Sequence, residues 1–229
     1  MSRHSSVVFI FFGLLWGTYS LAVQRYSLPV CQRYPVFQGG LHIKNFNRCQ
    51  QLLTILSQKK QCNFLGPMPD AACTKRVLSH SFCQQTRALL HAIPSATLGM
   101  ISAQSYGNLT LVRSTTVADG VDTYYIVNPA GCLMNTSIDP RTLSTKLREQ
   151  YANQSFIILA QAPHYLHYPH REAIVITLQV RTPCLACKTI GCAQVKFNFS
   201  STGQWIGTNL VNFSQCEKAP PNPPLKKEG

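Results

Sequence analysis

The chain has 229 residues, 45% of them hydrophobic, 13% charged, and 10 of them cysteine. Lys plus Arg is 21 against 8 Asp plus Glu, a formal charge of +13. That is too apolar for a disordered chain and large enough for one sizeable domain or two small ones.

Residues 1–22 have the build of a secretory leader. Arg3 and His4 give a basic start, Val7 to Trp16 is almost unbroken apolar sequence, and Ser20 and Ala22 put small residues at the cleavage position. The apolar run is shorter than the roughly 20 residues a bilayer span needs. No later stretch is apolar enough to span, and the tail from Ala219 to Gly229 carries neither a lipid-anchor signal nor a retention signal. The mature chain is expected to be free and soluble.

Export agrees with two further features. All 10 cysteines follow the leader, an even number that suits a disulfide framework. Five Asn-X-Ser/Thr acceptors are present, at Asn108, Asn135, Asn153, Asn198 and Asn212.

The composition changes near Pro94. Residues 23–97 hold nine Lys or Arg and one acid, Asp70, and no sequon. Residues 98–229 hold eleven basic residues, seven acids and all five sequons. The expected organisation is α+β: a basic, cysteine-rich helical module at 23–97, an N-glycosylated antiparallel β module at 98–217 with one packed helix, and a disordered Pro/Lys-rich tail at 218–229. A β-sandwich is the alternative for the second half.

In chain order, residues 45–60 form the first predicted helix. Leu52, Leu53, Ile55 and Leu56 give it an apolar side, and Lys59 and Lys60 suit its C-terminus. Asp70 caps a second predicted helix running to about Ile93. Leu78, Phe82, Leu89 and Ile93 share one side of it, with Arg76, His80, Gln84, Arg87 and His91 on the other. Pro94 ends it.

Strands are predicted at 107–114, 122–128, 155–162, 172–182, 192–200 and 205–213, the last two joined by a hairpin through Gly203. Alternation turns Val195, Phe197 and Phe199 inward and Asn198 outward. The same rule places Asn212 outward between Val211 and Phe213, and Asn108 and Thr110 outward beside Leu109 and Leu111. Asp139 and Pro140 open one helix, with Leu143, Leu147 and Tyr151 as its apolar stripe.

Cys31, Cys49, Cys62, Cys73 and Cys83 lie before Pro94, and Cys132, Cys184, Cys187, Cys192 and Cys216 after it. Five is odd. Either at least one bridge crosses between the halves, or each keeps a spare thiol and a disulfide-linked dimer follows.

Few constellations carry chemistry. Cys184, Cys187 and Cys192 include a CxxC that reads as a structural knot, with thiol exchange or zinc as alternatives. His164, His167 and His170 have metal-ligand spacing, but Pro163 and Pro169 argue for an exposed loop. Acids are too few for an obvious hydrolase, and no nucleophile elbow or His-Glu-X-X-His is present. No catalytic residue, cofactor or metal is expected.

The expected site is therefore a basic face of Arg48, Lys59, Lys60, Lys75, Arg76, His80 and Arg87. Outside a cell, the polyanions it would meet are sulfated glycans, anionic membranes and acidic proteins, not nucleic acid. The sequence points to a secreted N-glycoprotein that binds a cell-surface receptor or matrix component, with heparan sulfate as an auxiliary ligand. The alternatives are a secreted enzyme, redox or metal protein using the 184–192 cysteines or 164–170 histidines, and a structural subunit of an exported complex.

Overall fold

A computed structural model describes residues 31–63, 70–93, 96–116, 120–161, 163–183 and 188–216. The leader expected at 1–22, the tail expected at 218–229, and Cys184 and Cys187 lie outside them.

Three helices come first: α1 (Ile43–Gln58), α2 (Ala71–Leu78) and α3 (Gln84–Ala92). Phe46, Cys49 and Leu53, spaced three and four residues apart, form the buried stripe of α1. Asp70 caps α2 by accepting from the Cys73 backbone N–H at 3.0 Å.

Two antiparallel sheets follow. The first has the order β1 (Gln32–Arg33), β5 (Cys132–Asn135), β4 (Asp122–Val127), β3 (Leu109–Thr115), β2 (Ile101–Tyr106). The second has the order β10 (Trp205–Ser214), β9 (Thr189–Ser200), β8 (Arg171–Arg181), β6 (Ile157–Ala160), and β7 (His164–Tyr168) also pairs with β8. A short helix α4 (Thr145–Gln150) lies between β5 and β6.

Three layers result. Leu109, Leu111, Ile126 and Met134 of the first sheet share one core with Ile174, Ile176, Phe197 and Phe199 of the second. On the other face of the first sheet, Ile101, Val112, Tyr125 and Leu133 pack against Phe37, Phe46, Leu89 and Ile93. A third cluster, around Cys49, Leu53, Val77 and Cys83, holds the helices to one another. The class is α+β, and the strand-rich part has two facing sheets, the sandwich arrangement, in place of one sheet.

Two facing sheets plus a helical layer bury the first sheet on both sides, which overturns the outward placement of Thr110. Leu109 and Leu111 point to the second sheet, while Thr110 and Val112 point to the helices, and all four are buried. Strict alternation applies only where one face meets water.

The long second helix is interrupted. The Ser79 hydroxyl donates to the Arg76 carbonyl at 2.6 Å, and His80 is extended (φ −65°, ψ 138°). The 3-10 turn Ser81–Cys83 then carries Cys83 to its disulfide with Cys49 on α1. The single helix expected after Asp139 is also divided. Asp139 caps a 3-10 turn, Pro140–Thr142, by accepting from Arg141 N–H at 2.9 Å, and Ser144 caps α4. The Arg141 side chain pairs with Asp139 and donates to the Tyr151 and Gln154 carbonyls at 3.0 and 2.6 Å, closing the far end of α4.

Strands β1, β2 and β5 were not expected, and β7 replaces the loop expected at 164–170. In β10, register shifts between Trp205 and Gly207 and between Leu210 and Asn212 mark bulges. They leave Ile206 and Val211 exposed, so Val211 does not face the core.

Among the described cysteines, Cys31 bonds Cys132, Cys49 bonds Cys83, Cys62 bonds Cys73 and Cys192 bonds Cys216. The first crosses between the two halves, as the odd counts require of an intramolecular set, and removes the parity argument for a linked dimer. Cys192 pairs with Cys216, so it does not belong to a thiol group with the CxxC.

Candidate binding face

The helical layer concentrates positive charge because its sequence offers almost no acid. Asp70 is the one carboxylate in 23–97, and its oxygen is engaged as the α2 cap. The ion pairs among the described residues, Arg113–Asp122 and Arg141–Asp139, both lie in the strand-rich part. No carboxylate stands within 4.0 Å of a layer cation among the described residues.

Two groups of candidates are brought together. The Arg48 guanidinium lies 4.5 Å from the Phe82 ring centroid, and the His80 ring stacks on Phe82 at 5.1 Å. The adjacent Cys49–Cys83 disulfide joins the two backbones that present this stack. The Arg76 guanidinium approaches the sulfurs of Cys62 and Cys73 at 3.7 and 3.3 Å; Lys75 precedes Arg76 on α2, and Cys62 is two residues beyond Lys60. Lys59 and Lys60 close α1, with Lys60 at φ 54°, and Lys75 and Arg76 occupy the last turn of α2. These four cations complement the negative ends of their helices as well as facing solvent. Arg87 is exposed on α3 and makes no hydrogen bond, ion pair or ring contact with either group among the described residues.

Sequence reasoning missed Lys44 and Phe82. Lys44 stands one turn before Arg48, and Lys59 is eleven residues after it. At 3.6 residues per turn these three share a side of α1, spread over about 22 Å. Ile55 lies on the same stripe and is 47% exposed. The i, i+4 relation of Lys44 to Arg48 was a readable signal. The role of Phe82 was not, because its predicted helical side faced the core.

The histidines do not converge. His164 and His167 lie three apart on a strand and so point to opposite faces, and His170 sits in the β7–β8 turn. No group of three potential ligands gathers among the described residues. His167 instead has its Nδ1 3.3 Å from the Tyr165 hydroxyl. That hydroxyl bonds Glu172, and burial together with the Glu172 charge holds the phenol above its ordinary range. Glu172 is itself buried and accepts from the Asn108 backbone N–H at 3.4 Å. Asn108 Nδ2 donates to the Ser201 carbonyl at 2.7 Å, tying the β2–β3 turn to the β9–β10 turn across the two sheets.

None of the five sequons lies on a helix. Asn108, Asn135, Asn153 and Asn212 are exposed, and Asn198 is half-buried on the outer face of the second sheet. No helix among the described residues is long and apolar enough to cross a membrane. No family model, curated protein or solved structure matches the chain.

Proposed function

We propose that this disulfide-bonded protein is exported, carries N-glycans, and works without catalysis as a ligand or binding protein for a cell-surface receptor or matrix component. The helical layer is the contact face, and sulfated glycans of the heparan sulfate type are its auxiliary ligand. The observation that carries this reading is the set of exposed cations with no carboxylate partner among the described residues, on elements that hold no sequon. Unneutralised charge on a rigid, disulfide-braced surface attracts a polyanion at long range, and screening makes that attraction salt-sensitive. The Arg48–Phe82–His80 stack adds an aromatic and planar element suited to a specific contact.

The test is saturable binding of the purified glycoprotein to intact cells, before and after enzymatic removal of heparan sulfate. Charge reversal at Lys59, Lys60, Lys75 and Arg76 is run alongside. Weaker binding after the enzyme, and loss after charge reversal, are expected. Binding that charge reversal leaves unchanged overturns the assignment of this face.

A further inference from the structure

The outer face of the second sheet has a depression of about 360 Å³ between Tyr168, Pro169, Ala173, Lys196 and Asn198. Its shape follows from the strand register. Asn198 on β9 is flanked across the sheet by Gly207 on β10 and Ala173 on β8, and Ala173 is followed by Leu166 on β7. A Cβ placed on Gly207 would meet nothing within 4 Å, so the space beside Asn198 is open on that side. On the other side, the Lys196 ammonium reaches Tyr168, 4.9 Å from the ring centroid and 3.4 Å from its hydroxyl. His170 and Arg171 complete the rim.

Asn198 is itself a glycan acceptor, followed by Phe199 and Ser200. Its Nδ2 donates to Asn209 Oδ1 at 2.8 Å and makes only a 3.5 Å contact with the Gly207 carbonyl. An N-linked asparagine keeps one hydrogen on Nδ2. Both contacts run to β10, so a sugar seated over β8 takes the amide turned about its Cβ–Cγ bond, with contacts in the depression replacing the bond to Asn209.

We propose that this depression seats the first N-acetylglucosamine of a glycan on Asn198, making that sugar part of the outer layer of the second sheet. The inference rests on the reading above that the chain is exported and glycosylated. In the transfer, the bond from sugar C1 to a lipid pyrophosphate breaks and the Nδ2–C1 bond forms. One Nδ2 proton is lost, and the pyrophosphate leaves with the electron pair. The ring's apolar face then covers Tyr168 and Pro169, and its hydroxyls lie in reach of Lys196. A tethered sugar has an effective concentration on the order of mM, which favours it over a free ligand for the same space. Asn212, on the same face but beside the Val211 bulge of an edge strand, does not line this depression.

The test uses the full chain secreted from cultured animal cells, with glycopeptide mass spectrometry and thermal unfolding. Asn198 is expected to be occupied, and Asn198→Gln to lower Tm by about 3 °C, the shift about 1 kcal/mol gives a protein of this size. Tyr168→Ala is expected to lower Tm in the glycosylated protein and to add nothing in the Asn198→Gln background. Trimming every glycan to its first sugar should leave that coupling intact. Ser200→Ala removes the acceptor motif a second way, with Ser200→Thr as the control that keeps it. The Ser200 hydroxyl also serves the hairpin, accepting from Gln204 N–H at 3.0 Å, so the readout is again the coupling to Tyr168. An unmodified Asn198 in a chain glycosylated elsewhere overturns the inference, as does a Tyr168→Ala cost that is equal in both backgrounds. A secreted chain with no sequon modified overturns the reading of glycosylation beneath it.

Discussion

Removing the Cys31–Cys132 disulfide should cost more stability than removing any other bridge among the described residues. It closes a span of 101 residues, against 34 for Cys49–Cys83, 24 for Cys192–Cys216 and 11 for Cys62–Cys73. A cross-link restricts the unfolded chain in proportion to the logarithm of the loop it closes, which gives about 4.7 kcal/mol for the longest and about 2.8 kcal/mol for the shortest. The difference, about 2 kcal/mol, is the quantity to measure, because replacing cysteine by alanine opens space at both sites and that cost largely cancels. The longest bridge also anchors β1, whose pairing with β5 involves only Gln32 with Leu133 and Arg33 with Cys132. Freeing β1 adds to the loss. The assay is urea unfolding at constant pH of the double variants Cys31→Ala/Cys132→Ala and Cys62→Ala/Cys73→Ala, with both midpoint and slope fitted, since a less restricted unfolded chain exposes more surface. Equal destabilisation of the two would refute the loop-closure reasoning for this fold.

Gln85 is buried and ties α3 to the segment before α1. It accepts from His42 N–H at 2.7 Å and donates to the Val36 and Gly40 carbonyls at 2.7 and 3.2 Å. Gln85→Leu orphans these groups and should cost about 2–4 kcal/mol in the same assay, whereas Gln84→Leu on the exposed side should be near neutral. Gly131 has φ +77°, and an added Cβ would stand 3.0 Å from the Tyr34 carbonyl oxygen and 3.1 Å from Phe37 C, while Gly120 has φ +66° with nothing within 4 Å. Gly120→Ala should therefore show only the backbone cost of about 1–2 kcal/mol, and Gly131→Ala should exceed it in thermal or urea unfolding. Burial holds the phenols of Tyr124, Tyr125 and Tyr165 above their ordinary value of 10.0. The folded chain then keeps protons that the unfolded chain releases, so stability is complete below about pH 10 and falls as pH rises beyond it. Unfolding midpoints should hold from pH 8 to about 10 and decline above it, less steeply in Tyr125→Phe.

Local chemistry was legible in the residues. The Asp70 cap, the β9–β10 hairpin with Gly203 at φ +75°, and the alternation through Val195, Phe197 and Phe199 depend on neighbours a few positions apart, and each stands as read. The exposure of Arg48, Lys59, Lys60, Lys75, Arg76, His80 and Arg87 was also readable, because charge without a partner stays in water. Counting cysteines on each side of Pro94 was enough to require a crossing bridge for an intramolecular set, but its partners, Cys31 and Cys132, are 101 residues apart and came only with the fold. Tertiary structure likewise decided that two sheets face each other and that helices cover one of them. Burial on both faces erased the alternation in Thr110 and Val112 and hid β5 from a period-two reading. The break at Ser79–His80 belongs to the same class: a continuous helix suited the local pattern, but Cys83 is bonded to Cys49 across the layer. Periodicity and capping are properties of consecutive residues, whereas faces, partners and breaks follow from which distant surfaces exclude water together.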